Sequence, residues 1–200
     1  MLEITKTHST GKSLGFTLIE LMVTLAIIII IAVIAVPGYA DFQRSSELSS
    51  RTSTFISAIN AARGEAMKRG RYAMLVPTDG ANWSTGVLVF VDMNGNQVFN
   101  AATDPVIYSN SDAFPSYLTV TSPTGTASGT TPYILFDAQG YAKTKAAAFS
   151  NVTISFSRND VETARIPSQT RRIIILRTGR VRTCTPTSST DTTCQAGSSN

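Results

Sequence analysis

The stretch Gly15–Val36, GFTLIELMVTLAIIIIIAVIAV, decides the fold. From Phe16 to Val36 it holds a single charged side chain, Glu20. About 21 residues of helix rise roughly 31 Å, enough to cross a bilayer. An acid at the bilayer centre costs roughly 2.5–3.5 kcal/mol on insertion scales, so Glu20 belongs near the interface or beside a cation. No lysine, arginine or histidine within the run supplies that cation. The whole chain has 200 residues, a net charge of +4 and 42% hydrophobic residues, which leaves room for this segment and one modest domain.

Ahead of the run, MLEITKTHSTGKSL is short and polar, with Lys6 and Lys12. A basic leader on the cytoplasmic side puts the amino end inside and the body of the chain outside. An ordinary secretory signal peptide, cleaved near Gly38-Tyr39-Ala40, is the competing reading of the same composition. Past the apolar run, Pro37-Gly38 predicts a kink, because proline removes a ladder hydrogen bond and crowds the preceding turn. Beyond it, Leu48, Thr52, Phe55, Ile56, Ile59, Ala62 and Ala66 recur three or four apart. They form one stripe that Arg44, Glu47, Arg51, Arg63 and Glu65 largely avoid. The pattern predicts one helix from about Thr17 to Arg69, roughly 80 Å long, with Gly70 as its stop.

After Gly70 the pattern becomes that of strands: Tyr72–Val76, Gly86–Val91, Val106–Tyr108, Tyr117–Thr121, Tyr133–Phe136, Val152–Phe156 and Ile173–Leu176. These seven strands, with the helical stripe as the other layer, predict an α+β sandwich. The last stretch, Thr187 to Asn200, is small and polar and is expected to be mobile outside the cysteine loop. Cys184 and Cys194 are the two cysteines. In an exported domain they read as one disulfide closing a small loop; a zinc pair is the rival, with no further ligands at hand.

The G-F-T-L-I-E sequence at Gly15–Glu20, opening an apolar helix after a short basic leader, resembles the type IV pilin family and its type II secretion pseudopilins. The resemblance implies that a prepilin peptidase cuts between Gly15 and Phe16 and methylates the new amino terminus at Phe16. It also implies that Glu20 meets the amino terminus of a neighbouring subunit during assembly. A second resemblance covers the remainder. Trp83–Gly86 (W-S-T-G), Val89–Asn96 (V-F-V-D-M-N-G-N), Phe136–Gly140 (F-D-A-Q-G) and Gly179–Arg182 (G-R-V-R) resemble the GspH/FimT/FimU class of minor pilins and pseudopilins.

That class implies a type IV pilin fold: a long N-terminal helix, transmembrane in its first half, packed on a β-sandwich-like head of short antiparallel strands. The expected plan is a leader at 1–15, a transmembrane and filament-core segment at 16–43, an amphipathic half-helix at 44–70, a β-rich head at 71–183, and a disulfide loop and polar tail at 184–200. The implied partners are other pilins, the prepilin peptidase and the inner membrane. The head would sit in the periplasm before assembly and in a cell-surface pilus afterwards.

Asp92, Asn94 and Asn96 at alternate positions invite a calcium reading, but the glycine and the twelfth residue do not match a calcium loop. Asn94-Gly95 between two β-rich runs favours a hairpin turn instead. Enzyme chemistry finds no support: the single histidine, His8, falls in the leader, and no phosphate loop or nucleophile elbow occurs. No cofactor or metal is expected.

The sharpest binding candidate is residues 171–184, RRIIILRTGRVRTC. Arg180 and Arg182, two apart, leave an extended segment on one face, roughly 7 Å apart. Gly179 lets the backbone turn or approach a ligand, and Arg171, Arg172 and Arg177 add charge. Arginines of this kind suit phosphate. Resemblance to FimT proteins of naturally transformable bacteria implies contact with double-stranded DNA here. Arginines that merely protect a sheet edge are the plainer alternative, and no aromatic platform is interleaved with them. The function expected is thus a minor pilin supporting pilus assembly, with DNA contact through GRVR. The alternatives are a type II secretion pseudopilin, or a purely structural subunit without DNA contact.

Overall fold

A computed structural model describes residues 15–194; the readings on residues 1–14 and on the tail beyond Cys194 lie outside them. Helix α1 spans Leu18–Arg69. Thr17 caps it: its hydroxyl accepts the Glu20 N–H at 3.2 Å and its carbonyl accepts the Leu21 N–H at 3.2 Å. The cap places Glu20 in the first turn, where a carboxylate favours the positive end of the helix dipole. Thr17 and Glu20 are three apart, the spacing of a capping box. The helix passes Pro37 and Gly38 without ending. It closes at Gly70, whose φ of 63° lets the Arg71 N–H fold back onto the Ala66 carbonyl at 3.2 Å.

Contacts divide the chain into two units, residues 1–43 and 44–200. In the described part of the first, the large apolar side chains from Phe16 to Val36 are exposed, Phe16 by 82% and Ile34 by 76%. The segment is long and apolar enough to cross a membrane. A contiguous apolar surface of this kind marks contact with lipid or with other protein.

Among the described residues the second unit holds nine strands in two antiparallel sheets. Sheet one runs in the order β3 (Val106–Asn110), β2 (Val87–Asp92), β1 (Tyr72–Pro77), β5 (Ile134–Phe136), β6 (Ala142–Lys143). Sheet two runs β4 (Leu118–Thr124), β7 (Val152–Arg158), β8 (Thr170–Ile175), β9 (Val181–Cys184). The seven expected strands are all present. The two additional ones, β6 and β9, are both edges: β6 is two residues long and β9 sets only Val181 and Cys184 around two polar residues, so neither carries an apolar run to announce it.

One core joins Leu48, Phe55, Ile59, Ala62 and Ala66 of the helix to Leu75, Val89 and Phe136 of sheet one and to Ile154, Phe156 and Ile173 of sheet two. Phe55 stands edge-on to both Trp83 (5.5 Å) and Phe156 (5.2 Å), and the Trp83 indole N–H donates to the Ala127 carbonyl at 2.9 Å. A smaller cluster, Met74, Phe90 and Leu135, lies on the other face of sheet one, where Phe99 packs on Phe90 at 5.2 Å.

Phe99 belongs to the connection between β2 and β3, which pair antiparallel as the expected hairpin does, though through more residues than a two-residue Asn-Gly turn. Residues 93–105 form a longer loop folded around two buried carboxylates. Asp92 accepts the N–H groups of Gly95, Asn96 and Gln97; Asp104 accepts those of Met93 and Asn100. The alternating acid and amides serve main-chain amides, and the loop lays an aromatic lid on the sheet.

At the start of the second unit, Asp160 accepts Arg44 Nη1 at 2.6 Å and is held by Arg158 through Nε at 2.8 Å and Nη2 at 2.9 Å. Hydrogen bonds from Arg158, then Arg44, pull the Asp160 carboxyl down to about 2. A depressed pKa stabilises the fold fully above the unfolded value near 4 and loses that contribution as pH falls toward about 2. The melting temperature should therefore drop over that window. Asp160→Asn should flatten that part of the profile and cost on the order of 2 kcal/mol at neutral pH, measured by pH-dependent thermal unfolding.

Candidate functional site

The predicted sites fall at the two ends of the described chain. At the first, Gly15 and Phe16 are exposed and precede the helix, and the Thr17 cap fixes where Glu20 sits relative to them.

At the second, β8 and β9 form a hairpin. The Gly179 N–H donates to the Leu176 carbonyl at 2.7 Å and the Leu176 N–H to the Arg180 carbonyl at 2.9 Å, so residues 177–179 make a three-residue turn. Gly179 has φ 77°, and a Cβ there would stand 1.9 Å from the Gly140 carbonyl oxygen and 2.6 Å from Arg63 Nε. The close approach that the sequence suggested is real, but its object is Gly140 and not a ligand. Arg63 of the helix locks the contact, donating from Nε to the Gly140 carbonyl at 3.0 Å and from Nη2 to the Thr178 carbonyl at 3.3 Å. The Ala142 N–H reaches the Arg177 carbonyl at 3.1 Å, and the Arg177 N–H reaches Asn151 Oδ1 at 2.7 Å. Two motifs far apart in sequence, F-D-A-Q-G and G-R-V-R, thus meet through one helical arginine. Nothing in the sequence singled out Arg63, which read only as a residue outside the apolar stripe.

The arginines separate into two groups. Arg171 Nη1 donates to the carbonyls of Ser168 (2.9 Å) and Thr170 (3.0 Å). Arg172 Nη1 donates to those of Asp191 (3.0 Å) and Cys194 (3.2 Å), and Arg182 Nη2 reaches that of Thr193 (3.4 Å). These three hold main chain in place. Arg177 and Arg180 are exposed at the turn. Elsewhere in the chain Tyr141 and Phe149, both exposed, stand edge-on at 5.6 Å, with Lys143 Nζ 3.5 Å from the Phe149 ring centre. Tyr141 adjoins the Gly140 carbonyl against which Gly179 packs.

Cys184 and Cys194 are bonded, with Cα atoms 5.9 Å apart. Inside their loop the Asp191 carboxylate accepts N–H and hydroxyl hydrogens of Thr187 and Thr193, which hold it well below the usual carboxylate range, the Thr187 N–H contributing most. The loop is therefore ordered up to Cys194. Replacing both cysteines with serine should lower stability by roughly 2–3 kcal/mol, read as a fall in denaturation midpoint. Among the described residues no group of three His, Cys, Asp or Glu side chains is placed to hold a metal ion.

Residues 51–179 match the family model described as type II transport protein GspH. This chain belongs to the GspH family. Residues 11–36 match the prokaryotic N-terminal methylation motif. The GspH-family chain is 39% identical over 59 residues to prepilin peptidase-dependent protein D of Escherichia coli K12, covering 30% of this chain and 40% of that protein. It is 42% identical over 57 residues to a fimbrial protein of Pseudomonas aeruginosa, covering 28% of this chain and 36% of that one. The chain thus spans less than half the length of either relative.

The type IV minor pilin FimU of Pseudomonas aeruginosa superposes with a TM-score of 0.51 at 15% identity, over 73% of this chain and 98% of that one. The fold is that of type IV pilins. The chain combines the GspH family match with a prepilin-type methylation motif at its apolar helix, and GspH-family proteins are pilin-like subunits.

Proposed function

We propose that the chain is a minor pilin that is cut between Gly15 and Phe16, methylated at Phe16 and built into a type IV pilus through its N-terminal helix. The observation that carries this reading is the G-F-T-L-I-E motif at the head of an apolar helix whose side chains are uncovered from Phe16 to Val36. A surface of that size is stable only in lipid or against like helices. Before assembly the segment lies in the inner membrane with the head in the periplasm; afterwards it becomes filament core. Its partners are other pilins and the prepilin peptidase. The segment plan follows: leader to residue 15, core helix 16–43, amphipathic helix 44–70, head 71–183, closing loop and tail 184–200.

Mass spectrometry of pili sheared from the native host should find the chain beginning at methylated Phe16. Its absence from pili, with secretion of exported proteins lost on deletion, would replace this reading with that of a type II secretion pseudopilin.

A second reading, contact with the DNA backbone, rests on the exposed Arg177 and Arg180 at the hairpin turn. Toward DNA, Arg171, Arg172 and Arg182, which serve main-chain carbonyls, contribute charge at most. The full chain in detergent should shift duplex DNA at low salt, and the Arg177→Ala/Arg180→Ala pair should weaken binding and lower the salt slope by about 2. No shift by the parent chain would leave a purely structural subunit.

A further inference from the structure

The outward face of sheet two carries a second candidate site. Strand register sets Thr121, Ser155 and Arg172 in one row across β4, β7 and β8. Ile154, Phe156 and Ile173, which alternate with them, belong to the core, so the row faces away from it. A groove of about 610 Å³ lies over this row. One wall is the stretch from Thr163 to Pro167, which includes Ile166; the other is Pro186 to Ser189 of the disulfide loop.

The floor is rich in unsatisfied donors. Ser155 is only 8% exposed, Ser157 is half-buried and Thr121 is exposed, and among the described residues none of their hydroxyls has a hydrogen-bond partner. Arg172 Nε is buried without a partner, and no carboxylate among the described residues pairs with that guanidinium. Neighbouring strands lie about 4.8 Å apart, so donors and one positive charge are spaced across the row like the substituents of a small ring. Hydroxyls that open on a cavity beside a guanidinium, with no protein group to bind, suit a polar ligand.

The chemistry narrows that ligand. β7 and β8 are each paired on both sides, so an extended peptide finds no free ladder to join. Among the described residues no aromatic ring lines the groove, so a nucleobase has nothing to stack on. No acidic side chain lines it either, which excludes a cationic ligand. A polyol bearing a carboxylate satisfies every part: ring hydroxyls for the Ser and Thr hydroxyls, the acid for Arg172, and C–H faces for the prolines and Ile166. We propose that this groove binds an acidic saccharide of the hexuronic acid type. The assignment is independent of the DNA reading, which concerns a different end of β8 and β9.

Saturation-transfer NMR on the full chain in a sugar-free zwitterionic detergent tests it, with D-glucuronate, D-glucose, acetate and N-acetyl-dialanine as probes. Glucuronate should bind, and glucose and acetate should each bind at least about tenfold more weakly. Thr121→Val with Ser155→Ala should weaken glucuronate about tenfold or more at an unchanged melting temperature. Should that pair fail to fold, Thr121→Val alone, at an exposed position, should still cost about fivefold. A glucuronate Kd above about 10 mM, or affinity unmoved by these variants, would overturn the site. Acetate or the dipeptide binding as well as glucuronate would overturn the saccharide assignment.

Discussion

Replacing Gly179 with alanine is expected to destabilise the second unit by about 2–5 kcal/mol, through two separate costs. The first is conformational: at φ 77° an L-residue pays roughly 1–2 kcal/mol that glycine does not. The second is steric. The new methyl would stand 1.9 Å from the Gly140 carbonyl oxygen, a backbone atom that cannot swing aside as a side chain can. Either turn must move, and overpacking of this sort costs about 1–3 kcal/mol. Moving the turn also pulls the Gly140 and Thr178 carbonyls from Arg63 and the Arg177 carbonyl from the Ala142 N–H. Against a total stability of roughly 5–15 kcal/mol, that is a large share, and the melting temperature should fall by about 10 °C in circular dichroism. Arg180→Ala, one residue along and exposed, should stay within about 0.5 kcal/mol of the parent. Equal melting of Gly179→Ala and the parent would mean that the two turns do not touch as described.

The second large effect is expected at Glu20. Glu20→Ala should leave cleavage after Gly15 intact but reduce the amount of chain in pili by about a hundredfold or more. That is the consequence of stranding one charge of a low-dielectric pair worth roughly 3–5 kcal/mol. The Thr17 cap makes a sharper comparison possible. Glutamine can take the glutamate's place in a capping box, whereas it carries no charge. If Glu20 acts by pairing with a neighbouring amino terminus, Glu20→Gln should fail as completely as Glu20→Ala. If it acts by closing the helix start beside the Thr17 hydroxyl, Glu20→Gln should assemble normally. Immunoblots of sheared pili against whole-cell lysates read the difference directly.

Much of the architecture was legible because it rests on local periodicity. The helix was expected over Thr17–Arg69 and spans Leu18–Arg69, since a lipid-length apolar run, a three-and-four stripe and a terminal glycine act on their own neighbours. The apolar strands were legible for the same reason. What escaped was whatever depends on distant partners: the two edge strands, and the loop around Asp92 and Asp104, longer than a two-residue Asn-Gly turn.

The candidate sites divide along the same line. The sequence alone marked the N-terminal candidate, because the expected cleavage point and Glu20 lie within about two turns at the head of the apolar run, and it identified the cysteines that the fold joins. Only the tertiary structure decided what the arginines do. Arg171, Arg172 and Arg182 look equivalent to Arg177 and Arg180 in the string RRIIILRTGRVR, yet each of the first three gives one guanidinium nitrogen to carbonyls of the segments beside it, Arg172 only through Nη1. Whether an arginine is free to meet a ligand depends on which carbonyls the fold carries to it, and those carbonyls lie elsewhere in the chain. The same holds for Gly179, whose need for a bare Cα comes from Gly140, and for the hydroxyl row of Thr121 and Ser155, aligned by strand register alone.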